Sequence, residues 1–357
     1  SGLPIVMGIS FTFVSIMCFV GPTYGYNAIV GAVLVGGLIE GVLGLLAKYW
    51  LKLITPIVSA SVVTAIGFSL LSVGAASFGG GSGSENFGSV TNWILGSVTL
   101  LCCILFNIFA KSYWKQLSVL FGLIVGYIVA IFMGVVDFSA LNSTSIVTLP
   151  SIMPFKPEFN INAIISVILI FLVSATETIG DTSALAATGL NRNATVKETS
   201  GSIACDGFIS ALSSVFSCLP ITSFSQNVGL VTMTKVVNRY AFTMGAIFLI
   251  LAGFCPKLAA IVNVMPQSVL GGAAVMMFSS IVVSGITLVN KAGITTRTTT
   301  IFSLALGLGY GLGTSSAVLD YLPEAISTIF GGSGIVPAAI IAILLNIILP
   351  KEKTETK

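Results

Sequence analysis

Polar residues in this chain fall between long apolar stretches instead of alternating with them. Twelve such stretches can be marked, at residues 3–20, 27–47, 54–73, 92–110, 117–136, 162–178, 202–215, 221–233, 240–254, 269–288, 298–312 and 335–349. A helix crosses the hydrocarbon layer with about 20 apolar residues, whereas the strands of a membrane β-barrel alternate apolar and polar positions. The pattern therefore predicts an all-α membrane protein. Two stretches, 3–20 and 221–233, are short or interrupted by polar residues.

The loops test this division. If the stretches are spans, thirteen of the fifteen basic residues fall on one face, among them Lys48, Lys111, Arg192, Lys235, Arg297 and Lys351. Only Lys156 and Lys257 fall on the other. The positive-inside rule makes the first face cytoplasmic, and the C-terminus with it. A bacterial cytoplasmic (inner) membrane is the expected location.

Composition agrees. Hydrophobic residues make up 55% of the 357 positions and charged residues 8%, with a mean hydropathy of +1.06; a soluble domain has about 25% charged residues. The six cysteines all lie in apolar surroundings and none forms a CxxC pair, so they are expected to act as small packing residues. There is no histidine, which removes the usual near-neutral proton carrier and leaves carboxylates for any proton chemistry. No catalytic set or phosphate loop stands out, and an enzyme, a metal site or a cofactor is not expected.

A weak internal repeat is present. Leu3-Pro4-Ile5 opens one interrupted stretch, and Leu219-Pro220-Ile221 opens the other 216 positions later. Pro56 precedes Phe68-Ser69 as Pro266 precedes Phe278-Ser279, 210 positions later. Two halves of one plan would place the start of the first half before Ser1, so two preceding spans and a total of fourteen are expected. Repeats with broken spans around a mid-membrane site are a common plan of secondary transporters.

Ionisable residues within the stretches are few, and such residues are functional candidates by default. Glu177 and Asp181 are four apart and share a helix face. Two adjacent carboxylates in a low dielectric do not both ionise easily, which suits a proton-coupled carrier. Asp206 and Glu40 complete the set, with Glu40 expected to pair with a polar group on a neighbouring helix. The run Thr222-Ser223-Phe224-Ser225-Gln226-Asn227-Val228-Gly229 follows a proline and ends in glycine. It reads as extended backbone leading to a half-helix that starts near Gly229. Non-helical backbone at membrane depth survives where it lines a cavity or is buried in protein, and a helix start there offers N–H groups to a ligand. The counterpart in the first half is Gly8-Ile9-Ser10-Phe11-Thr12-Phe13, with hydroxyls and aromatic rings.

These residues resemble a known family. Gln226-Asn227-Val228-Gly229-Leu230-Val231-Thr232-Met233-Thr234-Lys235 fits the signature of the nucleobase–ascorbate transporters, [Q/E/P]-N-x-G-x-x-x-x-T-[R/K/G]. Ala175 through Asp181 resembles the family's acidic motif, Asp206 falls at a further acidic position, and Leu3 through Phe13 resembles the start of its third span. The resemblance implies two inverted seven-span repeats, with a core domain at 1–53 and 160–255 and a gate domain at 54–137 and 266–350. Its third and tenth spans would each be a short strand and a half-helix.

For the site, the resemblance implies that Glu177 accepts the N–H groups of a purine and Gln226 binds the opposite edge. Asn227 would hold the local geometry, and Phe13 would stack on the ring. The backbone near Phe13 and Ser225 would add hydrogen bonds. Asp181 and Asp206 would join Glu177 in proton coupling. Gln at the first signature position is similar to xanthine and uric acid carriers, and Thr12 leans toward uric acid. The implied activity is purine:proton symport, with sodium as the alternative coupling ion and a homodimer as the usual assembly. A uracil carrier, or an anion carrier of the same fold, is the competing reading. Asp181 stands where uracil carriers have histidine, and the basic residues lie in loops instead of spans.

Overall fold

The computed structural model describes residues 2–111, 113–139, 144–319, 321 and 334–350. In chain order the main elements are β1 (Met7–Ile9), α1 (Val14–Tyr24), α2 (Tyr26–Leu45), α3 (Pro56–Phe78), α4 (Val90–Phe109) and α5 (Ser118–Phe132). They are followed by α6 (Ile161–Leu190), α7 (Val196–Val215), β2 (Ile221–Ser223), α8 (Ser225–Thr234), α9 (Arg239–Gly253) and α10 (Pro256–Asn263). The last are α11 (Gln267–Ala292), α12 (Thr296–Leu304) and α13 (Ile335–Ile348). Among the described residues five helices, α2, α3, α4, α6 and α11, are long and apolar enough to cross a membrane, and the bent pair α9–α10 makes a sixth if taken as one span. This is a multi-pass membrane protein.

Both interrupted stretches are broken as expected, each into a strand followed by a helix. One boundary differs. The second half-helix begins at Ser225, four residues before the expected start at Gly229. Ser225, Gln226 and Asn227 do not delay it, because first-turn N–H groups have no intrahelical acceptor and polar side chains are at home there. Helix α6 also outruns its apolar stretch, continuing to Leu190 through Thr178, Gly180, Asp181 and Thr182. Its two acids thus lie in mid-helix. After α9 the chain turns by 82° into α10, an element the hydropathy did not suggest; Pro256 at its first turn suits a helix start.

The described residues form two compact units. One comprises 1–69, 151–229 and 281–357 and contains both strands. Its centre is the crossing of α2 on α7, where the backbones touch. A Cβ on Gly207 would lie 2.1 Å from the backbone nitrogen of Gly41, and one on Gly44 would lie 2.3 Å from that of Ala204. On α6, the ring of Phe171 occupies the space beside Gly36. Ile57, Val58, Ile301, Ala305 and Ala342 form a further buried cluster. The segment before α6 is stapled to this unit by Glu158 N–H donating to Asn27 O (3.0 Å) and by Phe155 packed edge-on against Tyr26.

The second unit comprises 70–150 and 230–280. Leu95, Ala130 and Val269 form its buried centre. Here α4 and α5 approach through Gly122 and Gly126, whose added Cβ atoms would meet the Cys103 sulfur and the Thr99 hydroxyl.

At the start of α7, Thr195 and Glu198 form a reciprocal capping box, and Arg192 pairs with Glu198 at 2.5 and 2.9 Å. The Arg192 hydrogen bonds, and then the Thr195 N–H, hold the Glu198 carboxyl down to about 2. A depressed carboxylate stabilises the fold above its unfolded value and loses that contribution as pH falls through its folded value. The cap should therefore outlast acidification through the ordinary carboxylate range.

The α2–α7 crossing gives a direct test. Gly207→Val overpacks it against backbone, at a cost of about 1–3 kcal/mol or more, and should lower the melting temperature of the detergent-purified protein. Gly245→Ala, whose added Cβ meets nothing within 4 Å, should not. Equal melting of both variants would refute the crossing.

Candidate functional site

Strands β1 and β2 pair antiparallel, with Met7 opposite Ser223, Gly8 opposite Thr222 and Ile9 opposite Ile221. The pairing continues past the strand ends, since Ser10 N–H donates to Pro220 O (3.2 Å) and Phe224 N–H to Val6 O (3.0 Å). Each strand then enters a helical segment. Ser10 caps the first turn by accepting from the Thr12 N–H (3.1 Å), and Phe11–Phe13 lead into α1. Phe224 leads into α8, its ring occupying the space that a side chain at Gly8 would need. Asn227 of α8 donates from Nδ2 to Pro4 O (3.3 Å), tying the second broken segment to the root of the first.

The acids of α6 face this crossing. Glu177 Oε2 accepts from the Thr12 hydroxyl at 2.6 Å. Asp181 accepts from Ser223 (2.8 Å) and Ser225 (2.7 Å), one bond to each oxygen. Thus one acid is bound to the first broken segment and the other to the second. Asp206 of α7 is fully buried, and the Thr178 hydroxyl donates to its Oδ2. Thr178 also contacts Thr222 (3.2 Å) and Ser223 (3.3 Å), and Ser174 donates to Thr222 (2.9 Å). Asp181 and Asp206 are thus joined through one set of hydroxyls, and Glu177 is held separately by Thr12.

A hollow of about 20 Å³ lies here, lined by Ser10, Phe11, Thr12, Ile66, Glu177, Thr222, Ser223, Phe224, Ser225 and Ile281. That is room for about one water, so a bicyclic ligand requires it to open. Hydroxyl, backbone and carboxylate groups line one part, and Phe11, Phe224, Ile66 and Ile281 supply flat and apolar surface. Such a mixture suits a planar, polar-edged heterocycle.

The expected site residues can now be placed. Thr12, Glu177 and Ser225 meet at the hollow. Asp181 is held just behind it by Ser223 and Ser225, and Asp206 lies one hydroxyl further in, behind Thr178. Asn227 serves the backbone of the first segment. Phe13 is turned away, buried at 1% exposure and packed edge-on against Phe171 at 4.7 Å; Phe11 lines the hollow in its place. Gln226 lies in the first turn of α8, and its side chain is outside the described residues. The sequence reading overlooked Ser174 and gave Thr178 and Thr222 no role of their own. A signal existed: Ser174, Glu177, Thr178 and Asp181 recur at three- and four-residue steps and so share one face of the helix.

Comparisons with known proteins agree with this architecture. The model of a permease family, Xan_ur_permease, matches residues 1–318. The chain is 36% identical over 352 residues to the uric acid permease PucK of Bacillus subtilis (strain 168), covering 97% of this chain and 80% of that one. It is 36% identical over 353 residues to the nucleobase transporter PlUacP of Paenibacillus larvae, covering 97% and 80%. Xanthine permease XanQ of Escherichia coli (strain K12) is 32% identical over 365 residues, covering 98% and 78%. Among solved structures, the transmembrane domain of a cyanobacterium bicarbonate transporter, BicA, matches with a TM-score of 0.63 at 14% identity, covering 92% of this chain and 84% of that one. The fold is that domain's seven-plus-seven inverted repeat.

The hydroxyl–carboxylate contacts can be weighed directly. A double-mutant cycle of Ser225→Ala and Asp181→Asn, read by thermal or denaturant unfolding in detergent, should give a coupling energy of about 1 kcal/mol or more, as for hydrogen bonds to charged groups. Simple additivity would mean that the two side chains do not interact.

Proposed function

This chain belongs to the permease family that its residues 1–318 match, and from that membership we propose that it carries xanthine or uric acid across the bacterial cytoplasmic membrane together with a proton. The observation that supports this best is the bonding of Thr12 to Glu177 and of Ser223 and Ser225 to Asp181. It puts acids beside both broken segments, at a hollow with aromatic and apolar walls. The named cargoes of the relatives above are uric acid, nucleobases and xanthine.

In this reading Glu177 accepts ring N–H groups, exchanging its Thr12 partner for the ligand, and the Gln226 amide takes the opposite edge. A carboxamide is both donor and acceptor and so suits C=O beside N–H. Asn227 keeps α8 seated on the first segment. The ring of Phe11, which lines the hollow, covers the purine face. Protonation around Glu177, Asp181 and Asp206 lowers the cost of closing the site away from water. The core domain, residues 1–53 and 160–255, then moves relative to the gate, 54–137 and 266–350, and releases purine and proton inside. The C-terminus is cytoplasmic and the assembly a homodimer.

A small inorganic anion as cargo is disfavoured by the chemistry of the hollow, whose described lining has a carboxylate and hydroxyls and no basic side chain. The likeness to the bicarbonate transporter concerns the fold alone.

The test is uptake of labelled xanthine by cells expressing the full-length protein, challenged with uric acid, uracil and ascorbate and with a protonophore. Uric acid should compete, and the protonophore should abolish accumulation. Competition by uracil alone would overturn the purine reading, and indifference to the protonophore would remove the proton. Glu177→Gln should abolish uptake while the protein still reaches the membrane; full activity in that variant would remove Glu177 from the site.

A further inference from the structure

One carboxylate is not used by the site described above. Glu40 lies towards the end of α2 at 1% exposure, and neither of its carboxylate oxygens has a hydrogen-bond partner. Its electrostatic neighbour is Asp206 on α7. Asp206 is fully buried as well; Thr178 donates to its Oδ2, and its Oδ1 has no partner. The sequence reading expected Glu40 to pair with a polar group on a neighbouring helix, and its electrostatic neighbour there is a second acid. The reason is local. Gly207, next to Asp206, packs so closely on α2 that an added Cβ would lie 2.7 Å from the carbonyl carbon of Glu40.

Among the described residues, no basic side chain is paired with Glu40 or Asp206. Of the helices packed on α2, α7 carries Lys197, Glu198 and Cys205 besides Asp206, and α6 carries Glu177 and Asp181. Both α6 acids interact with Asp206. Helix α1 carries Cys18 and Tyr24, and the short helix Ala47–Trp50 carries Lys48 and Tyr49. Lys197 and Lys48 are exposed. Tyr26, on α2 itself, donates to Ser217 O at 2.8 Å.

Two buried carboxylates, three of whose four oxygens lack a hydrogen-bond donor, would each carry a large desolvation cost before their repulsion is added. A single proton between them removes one charge and supplies the missing donor. We propose that Glu40 and Asp206 form a proton-binding pair, with Glu40 donating its carboxyl O–H to Asp206. This pair is a second station for the transported proton, joined to the substrate site through Thr178 and the hydroxyls of Thr222 and Ser223. Loading adds one proton to the pair from water, and release returns it; no other species changes. The inference rests on the proton-coupled reading above and assigns Glu40 a part in it.

Infrared spectroscopy of the purified full-length protein in lipid, with transport by the same preparation in proteoliposomes, tests this. At neutral pH the wild type should show the C=O stretch of a buried protonated carboxyl, sensitive to deuterium, lost in Glu40→Gln and shifted in Asp206→Asn. In E40Q, accumulation driven by an inward proton gradient should fall more than purine exchange does, by about tenfold or more, within the usual range of coupling between two ligands. An unchanged band in E40Q, or equal losses of accumulation and exchange, would overturn the pair. Should E40Q not fold, the Asp206→Asn band decides: an unshifted band overturns the proposal. Wild-type accumulation indifferent to a protonophore would instead sink the proton-coupled reading, leaving the infrared comparison to judge the pair by itself.

Discussion

Backbone at membrane depth has no water to bond with, so the two broken segments are viable because they satisfy each other. The antiparallel pairing of Met7–Ile9 with Ile221–Ser223 provides N–H and C=O partners where helix is absent, each unsatisfied group otherwise costing several kcal/mol. The rest of the site follows from this constraint. Two helical segments begin at the strand ends, Ser10 and Ser225 stand at those beginnings, and Thr222 and Ser223 are drawn under α6.

The acids in turn need the crossing. Glu177, Asp181 and Asp206 bond to threonine and serine hydroxyls in place of cations. A salt bridge would lose its attraction if the acid took up a proton. A hydroxyl both donates and accepts, so it can bond to the carboxylate and, after rotating, to the protonated acid. Such a site can change charge without losing its partners. Gly8 contributes by its size, since the Phe224 ring lies where its side chain would be.

Much of this was legible in the chain itself. Hydropathy marked the five long apolar helices among the described residues, since apolar length is what the bilayer requires, and Pro4 and Pro220 with their polar sequels marked the two breaks. The four-residue spacing of Glu177 and Asp181 put both acids on one face. What was not legible is what depends on distant pairing. No local pattern says that Met7 lies opposite Ser223, and hence that Asp181 would draw on Ser223 as well as Ser225. The orientation of Phe13 was misleading for the same reason: Phe171, far away in sequence, takes its ring, and Phe11 faces the hollow. The start of α8 was placed late because polar residues were read as helix breakers at a position where helices favour them.

The likeness to a bicarbonate transporter at 14% identity separates what the fold provides from what the side chains provide. The fold supplies two helical segments that start at the ends of the paired strands, and first-turn N–H groups by themselves favour an anion. In this chain Glu177 and Asp181 add negative charge beside those starts, and hydroxyls fill the remaining bonds. In the proposed reading the acids offset the positive potential of the helix starts and convert an anion-attracting frame into one that presents acceptors to N–H groups. Cargo on this fold is, in that reading, decided by a few positions along α6 and the two broken segments, while the helices carrying them answer to packing.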